Sequence, residues 1–359
     1  MDFLVLGQLL AGLVLLVIGA EMLVKGASNL AVSLGVSPLV IGLTIVAYGT
    51  SSPEMAVAIQ SSFAGKAGIA LGNVIGSNIF NVLVILGLSA LAMPLMVDQQ
   101  LIRLDVPIMI GISCLTLFFG IDGLISRSDG IVLLLGGIIY TGFLIYQGSK
   151  QDNQNKEAGS ESVIGLSKLQ WVNNIGLILG GTGLLVLGSR WLVLSSISIA
   201  RTIGVSELVI GLTIVAAGTS LPELATSIIA TLKGERDIAV GNVIGSNIFN
   251  ILAVLAISSI FAPNGIPVEN AAIGFDLPVM IAIAIACLPI FFTGNIINRW
   301  EGFLFISYYI AYTTYLILRS TEHDSLPIFS NVMLLFVIPI TVITLIIVTL
   351  HSLKKKSQK

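Results

Sequence analysis

The chain has 359 residues, 55% of them hydrophobic and only 10% charged, with a mean hydropathy of +1.02 and a net charge of −2. Soluble domains carry roughly 25% charged residues, so this composition excludes a soluble globular fold. No basic stripe is present to suggest nucleic acid.

The chain opens on an apolar run, Phe3 to Val24. It lacks a positive n-region, is preceded by Asp2 and is longer than a signal-peptide core, so it reads as a retained span. Further apolar segments fall at about 38–62, 69–96, 104–121, 129–148, 173–195, 206–231, 238–262, 276–294, 300–318 and 327–350. A run of about 20 apolar residues crosses a bilayer as a helix. The sequence therefore predicts an all-α polytopic membrane protein with eleven helices. The long polar stretch from Lys150 to Gln170 is expected to be a mobile linker between helices 1–5 and 6–10. Cys114 and Cys287 lie in separate apolar runs and read as packing residues.

Sliding the chain against itself by 169 positions aligns the two sets of five helices. Gly35–Glu54 and Gly204–Glu223 agree at 17 of 20 positions, and the decamer GNVIGSNIFN stands at both Gly72–Asn81 and Gly241–Asn250. Weaker echoes follow, with DVP at Asp105–Pro107 answered by DLP at Asp276–Pro278. Five is odd, so the second copy must cross the membrane upside down relative to the first, as in the inverted repeats of secondary transporters. The expected organisation is a first five-helix repeat over 1–148, a cytoplasmic linker over 149–172, a second, inverted five-helix repeat over 173–320, and an extra C-terminal transmembrane helix with a basic tail over 321–359. With the N-terminus on side one, Lys and Arg divide 5 to 12 in favour of side two. By the positive-inside rule side two is cytoplasmic. The N-terminus is then outside, with the linker and C-terminus cytoplasmic, in a plasma (inner) membrane.

Helix 2 reads IGLTIVAYGTSSPEMAVAI and helix 7 reads IGLTIVAAGTSLPELATSI. Pro53 and Pro222 cannot donate a backbone hydrogen bond and crowd the carbonyls of Gly49 and Gly218. Each helix should open there and free carbonyls around Ala47–Thr50 and Ala216–Thr219. Unwound backbone at membrane depth is tolerated only where it is buried or lines a cavity. Beside each break stands an acid, Glu54 or Glu223. An acid at the centre of a spanning helix costs roughly 2.5–3.5 kcal/mol, and no basic residue lies within these spans. The economical partner is an external cation. Hard cations take six to eight oxygens, and Thr50, Ser51, Thr219 and Ser220 supply hydroxyls. Ser77 and Asn81 share a helix face, as do Ser246 and Asn250. Gly72, Gly76, Gly241 and Gly245 form G-x-x-x-G patterns that admit a close neighbour. Asp105 and Asp276 read as helix-start caps, and Glu21 with Lys25 as a surface pair.

This doubled G-T-S-x-P-E and G-N-x-x-G-S-N-x-x-N pattern resembles the alpha repeats of the sodium/calcium exchangers, within the calcium/cation antiporter superfamily. The resemblance spans helices 1–10. It implies two inverted fives whose polar motifs meet at mid-membrane, with Glu54, Glu223, Thr50 and Thr219 holding calcium. It also implies sodium sites at Ser51, Ser77, Ser220, Ser246 and the carbonyls of Ala47 and Ala216, with Asn81 and Asn250 deeper at the centre. Some members, including potassium-dependent ones, carry Asp where this chain has Asn250, which argues against potassium co-transport. Helix 11 lies outside the family's ten-helix plan.

The expected function is a secondary active antiporter, not an enzyme. It exchanges Na+ for Ca2+ by alternating access, with no cofactor and with the bilayer as its surroundings. Two carboxylates are neutralised by one Ca2+ or two Na+, and a third Na+ makes exchange electrogenic. The resemblance gives the moving part as helices 1 and 6. A proton-driven calcium exchanger would use the same glutamates, but its sites need no hydroxyl cage. An intramembrane hydrolase could use paired acids, yet no H-E-x-x-H is present and one catalytic centre gives no reason for near-identical halves. A channel does not need carboxylates that must be neutralised before movement.

Overall fold

The computed structural model describes residues 3–157, 167–202, 216–292 and 294–357. Its main helices in the first half are α1 (Phe3–Leu34), α2 (Ser52–Phe63), α3 (Gly68–Phe80), α4 (Val106–Gly120) and α5 (Arg127–Glu157). In the second half they are α6 (Lys168–Thr202), α7 (Leu221–Leu232), α8 (Arg236–Phe249), α9 (Leu277–Phe292) and α10 (Arg299–Ser320). The final helix is α11 (Ile338–Ser357). Among the described residues, eight helical stretches are long and apolar enough to cross a membrane, and Pro38–Thr50 and Leu221–Leu232 are shorter apolar helices. The protein is thus a polytopic all-α membrane protein.

The flanks of the polar stretch differ from expectation. α5 continues through Glu157 and α6 starts at Lys168. Gln, Lys and Glu have good helix propensity, and a long apolar helix supplies the nucleus that a short polar segment cannot form alone. Residues 158–166 lie outside the described residues, as does 203–215, the first half of the seventh predicted helix.

The two halves are inverted copies, and packing shows it directly. α1 and α6 occupy equivalent positions yet run antiparallel. A Cβ on Gly12 would lie 2.9 Å from the Gly188 carbonyl oxygen, and one on Gly19 would lie 2.8 Å from that of Gly181. Gly12 aligns with Gly181 and Gly19 with Gly188, so each contact is the two-fold image of the other. Two short antiparallel ladders, not anticipated from the sequence, repeat the pattern. Leu95–Met96 (β1) pairs with Ile296–Ile297 (β4), and Leu124–Ile125 (β2) pairs with Ile266–Pro267 (β3).

α3 and α8, with the helical segments that extend them, form the enclosed centre: 78% of each span is buried, against 22% for the spans of α1, α5 and α6. Gly241 and Gly245 let α8 meet the Leu39–Leu43 backbone, where a Cβ on Gly245 would lie 2.7 Å from the Leu43 carbonyl oxygen. The corresponding neighbour of Gly72 and Gly76, around 208–212, lies outside the described residues.

Three local expectations are corrected. Asp105 is not a cap, because the helix already runs through Leu101–Asp105. It is buried and accepts from the Tyr140 hydroxyl at 2.8 Å and from Gln100 at 3.3 Å. Asp276 repeats the arrangement, accepting from Tyr312 at 3.3 Å. Glu21 pairs with Lys233 across the bundle at 3.9 Å rather than with Lys25. Cys114 and Cys287 are free, the first exposed and the second buried.

Candidate functional site

The proline breaks are shallower than the sequence suggests. Helix Ala47–Thr50 ends at Ser51, whose φ and ψ are −80° and 10°, and α2 starts at the next residue. Pro53 does deprive the Gly49 carbonyl of its backbone donor, but the Ser52 hydroxyl replaces it at 2.8 Å. At Pro222 the position of Ser52 is Leu221, and the Gly218 carbonyl is met instead by the Ser189 hydroxyl of α6 at 2.7 Å. The Ala47 carbonyl accepts from the Ser51 N–H at 3.0 Å, so it is engaged rather than free. It keeps a second lone pair. Ala216 begins the short helix Ala216–Gly218.

The breaks bring both acids to one place. Ser51 donates to Glu223 Oε1 at 2.8 Å, and Ser220 donates to Glu54 Oε1 at 3.1 Å. Each serine lies one helical turn from the glutamate of its own repeat, so the carboxylates face one another across the pseudo-two-fold axis. Glu54, Glu223, Ser51 and Ser220 are all fully buried. Thr50 donates to Asn242 Oδ1 at 3.0 Å, and Thr219 donates to Asn73 Oδ1 at 3.2 Å. Thr219 also lies beside Glu54, and Thr50 beside Glu223.

A second reciprocal set lies deeper. Asn81 Nδ2 donates to Asn247 Oδ1 at 3.0 Å, and Asn250 Nδ2 donates to Asn78 Oδ1 at 3.1 Å. Asn78 and Asn247 in turn donate to each other's backbone carbonyls at 3.2 and 3.3 Å. Helix geometry widens at this layer: π-helical segments begin at Asn81 (Asn81–Leu86) and at Asn250 (Asn250–Leu255). Such bulges frequently mark functional sites. No group of three or more His, Cys, Asp or Glu that could hold a metal stands together among the described residues. A cation placed here would meet two carboxylates together with hydroxyl and amide oxygens.

Buried polar atoms are nearly always hydrogen-bonded, and each exception needs an explanation. Among the described residues, six of these oxygens have no partner: Glu54 Oε2, Ser77 Oγ, Asn81 Oδ1, and their two-fold images Glu223 Oε2, Ser246 Oγ and Asn250 Oδ1. The asparagine nitrogens are tied down by Asn78 and Asn247, which leaves the amide oxygens as the unused ends. These six belong to the residue set expected from the sequence, other buried unpartnered atoms such as Asn73 Nδ2 and Thr226 Oγ1 lie outside it, and all six are acceptors or can act as acceptors. That is a donor set suited to a hard cation.

The family model for the sodium/calcium exchanger protein matches residues 4–146 and again 173–318. The chain belongs to the sodium/calcium exchanger family. Among its relatives are the putative antiporter CaxA of Alkalimonas amylolytica, 41% identical over 84% of this chain and 95% of that one, and the sodium/calcium exchanger MaX1 of Methanosarcina acetivorans, 36% identical over 85% and 96%. A solved structure of the sodium–calcium exchanger NCX_Mj superimposes with a TM-score of 0.74 at 34% identity, covering 86% of this chain and 98% of that one. As a member of this exchanger family, the protein is a cation/calcium antiporter and not an enzyme.

Asn73, Asn78, Asn242 and Asn247 lie outside the expected site, yet each bonds a residue of it across the two-fold axis. The available signal was their presence in both identical decamers. Which of them reach across is a property of how the repeats dock.

Proposed function

We propose that the chain exchanges sodium for calcium at one central site by alternating access. The ligands are Glu54, Glu223, Thr50, Thr219, Ser51, Ser220, Ser77, Ser246, Asn81, Asn250 and the carbonyls of Ala47 and Ala216. The observation that carries this reading is the symmetric set of six buried oxygens without partners among the described residues, two of them on the carboxylates of Glu54 and Glu223. Two negative charges match one Ca2+ or two Na+, and a third Na+ leaves the loaded site positive and the cycle electrogenic. Shared ligands make the two ions mutually exclusive, and that exclusion couples their fluxes. Asn81 and Asn250 add oxygens without charge, so the site holds two formal carboxylates rather than three.

Unequal cover of the two equivalent helices supports alternating access. α1 packs along α7, and α7 buries Pro222, Glu223, Thr226, Ser227, Ala230 and Thr231. α6 does not cover α2 to the same degree, and α2 buries only Glu54, Ala58 and Ser62. On the covered face Ser28 donates to Glu235 at 2.6 Å and Glu21 pairs with Lys233. The aligned positions, Ile197 with Lys66 and Arg190 with Ala64, cannot make either contact. Among the described residues, one face is therefore sealed and the other is not. With the N-terminus outside, as the Lys and Arg distribution favours, α2 leads from the site to the exterior and the unsealed face is external. In a Cys114→Ser, Cys287→Ser background, Ser61→Cys should react with an impermeant maleimide from the N-terminal face at least about tenfold faster than its image Ala230→Cys reacts from the other face. Equal rates would remove the sidedness.

The deciding experiment is radioactive calcium uptake into proteoliposomes under imposed sodium, potassium or proton gradients. Uptake driven by an outward sodium gradient is expected, stimulated by an inside-positive potential because three Na+ leave for each Ca2+ that enters. Uptake driven only by protons would transfer the assignment to a proton-driven exchanger.

A further inference from the structure

The reading of a cation site leaves open what aims the threonine oxygens. A hydroxyl that ligates a cation must send its proton elsewhere. Three acceptors compete for the Thr50 proton. Asn242 Oδ1 stands at 3.0 Å, the Ala47 carbonyl at 3.4 Å, and the Glu223 carboxylate lies close by. If the proton went to either of the last two, it would occupy an oxygen that the proposed site needs.

We propose that Asn242 and Asn73 are positioning residues that take the hydroxyl protons of Thr50 and Thr219, turning the threonine lone pairs toward the transported cation, with the Asn242 arm locked and the Asn73 arm loose. This rests on the cation-site reading above. Asn242 is fully buried, and each of its polar atoms is used. Its Nδ2 donates to Ser227 Oγ at 3.0 Å and to the Glu223 carbonyl at 3.4 Å, and Ser227 Oγ donates onward to the Ala239 carbonyl at 3.3 Å. With both amide protons assigned, Oδ1 can only face Thr50 as an acceptor. An amide rotated by 180° would present N–H to the hydroxyl and lose both nitrogen bonds.

The Asn73 arm lacks this lock. Ala58 stands where the other repeat has Ser227, and among the described residues Asn73 Nδ2 is buried with no partner. The two decamers are identical, so the asymmetry comes wholly from the facing helix, α2 against α7. The Thr50 ligand is preorganised and the Thr219 ligand is not, and preorganisation acts on affinity.

The test is calcium-dependent exchange in proteoliposomes, with half-saturating calcium and maximal rate measured separately, and calcium binding measured on the same purified protein. Ser227→Ala should raise half-saturating calcium roughly 3–10-fold, the range set by losing one net buried hydrogen bond, with the maximal rate per folded protein unchanged. Ala58→Ser, which adds the missing partner on the other arm, should lower it roughly 2–5-fold. In a Thr50→Val background, Ser227→Ala should have no further effect, because no hydroxyl remains to orient. A merely structural serine would reduce the amount of folded protein and leave half-saturation where it was. Should Ser227→Ala accumulate poorly, Ala58→Ser carries the same test with the opposite sign. Half-saturation unmoved in both variants, or an equal Ser227→Ala effect with and without the Thr50 hydroxyl, overturns the positioning role. A wild-type protein that neither binds nor moves calcium sinks the cation site itself, and that outcome is read before any variant is compared.

Discussion

Glu54→Gln should lower calcium exchange by at least about 100-fold while leaving the protein folded. Gln keeps the shape of Glu and keeps an oxygen for the Ser220 hydroxyl, which donates to Glu54 Oε1 at 3.1 Å. What it loses is the charge. Leaving a buried ion without its partner costs about 3–5 kcal/mol, and every 1.4 kcal/mol is about tenfold. Glu223→Gln should behave in the same way, since Ser51 serves it at 2.8 Å. A second measurement separates this from misfolding. Without calcium, two buried carboxylates face one another, so removing one charge should raise the melting temperature of the ion-free protein. Adding calcium should stabilise the wild type by mass action and the variant hardly at all. A Glu54→Gln protein that exchanges calcium at the wild-type rate, or that calcium stabilises as well as the wild type, would remove the carboxylate pair from the mechanism.

The route from sequence to this site was unusually direct because the same residues are written twice. Two copies, 169 positions apart through the polar motifs and 171 apart at Asp105 and Asp276, imply the inverted architecture, since an odd helix count leaves no other way to thread the second copy. The acids were legible because an unpaired carboxylate among apolar residues has few affordable explanations. The hidden part was everything that depends on docking. Pro53 announces a lost hydrogen bond, but nothing local says that Ser52 replaces it in one repeat and Ser189, from a distant helix, in the other. Asp105 and Asp276 precede prolines and so imitate helix starts. Only the fold puts Tyr140 and Tyr312 against them. Identical decamers likewise cannot reveal that Asn242 is locked and Asn73 is not, because the difference lies in Ser227 against Ala58 on the helices they face.

The contact between α1 and α6 should tolerate little added volume. A Cβ on Gly181 would lie 2.7 Å from the Gly19 carbonyl oxygen, and one on Gly188 would lie 2.7 Å from that of Gly12. Both are backbone atoms, which cannot swing aside as a side chain does. Overpacking a well-filled interior typically costs about 1–3 kcal/mol, and branched Val must push two helices apart along their whole crossing. Gly19→Val and Gly188→Val should each abolish exchange and lower the melting temperature. Gly7→Ala and Gly176→Ala, whose added carbon meets nothing within 4 Å, should leave both unchanged. The milder Gly19→Ala separates packing from motion. If α1 and α6 shift as a pair against the enclosed α3 and α8 centre to open and close the site, Gly19→Ala should reduce turnover per folded protein several-fold with calcium binding retained. A variant that merely accumulates less, with turnover per molecule intact, would mean the glycines serve assembly and the moving surface lies elsewhere.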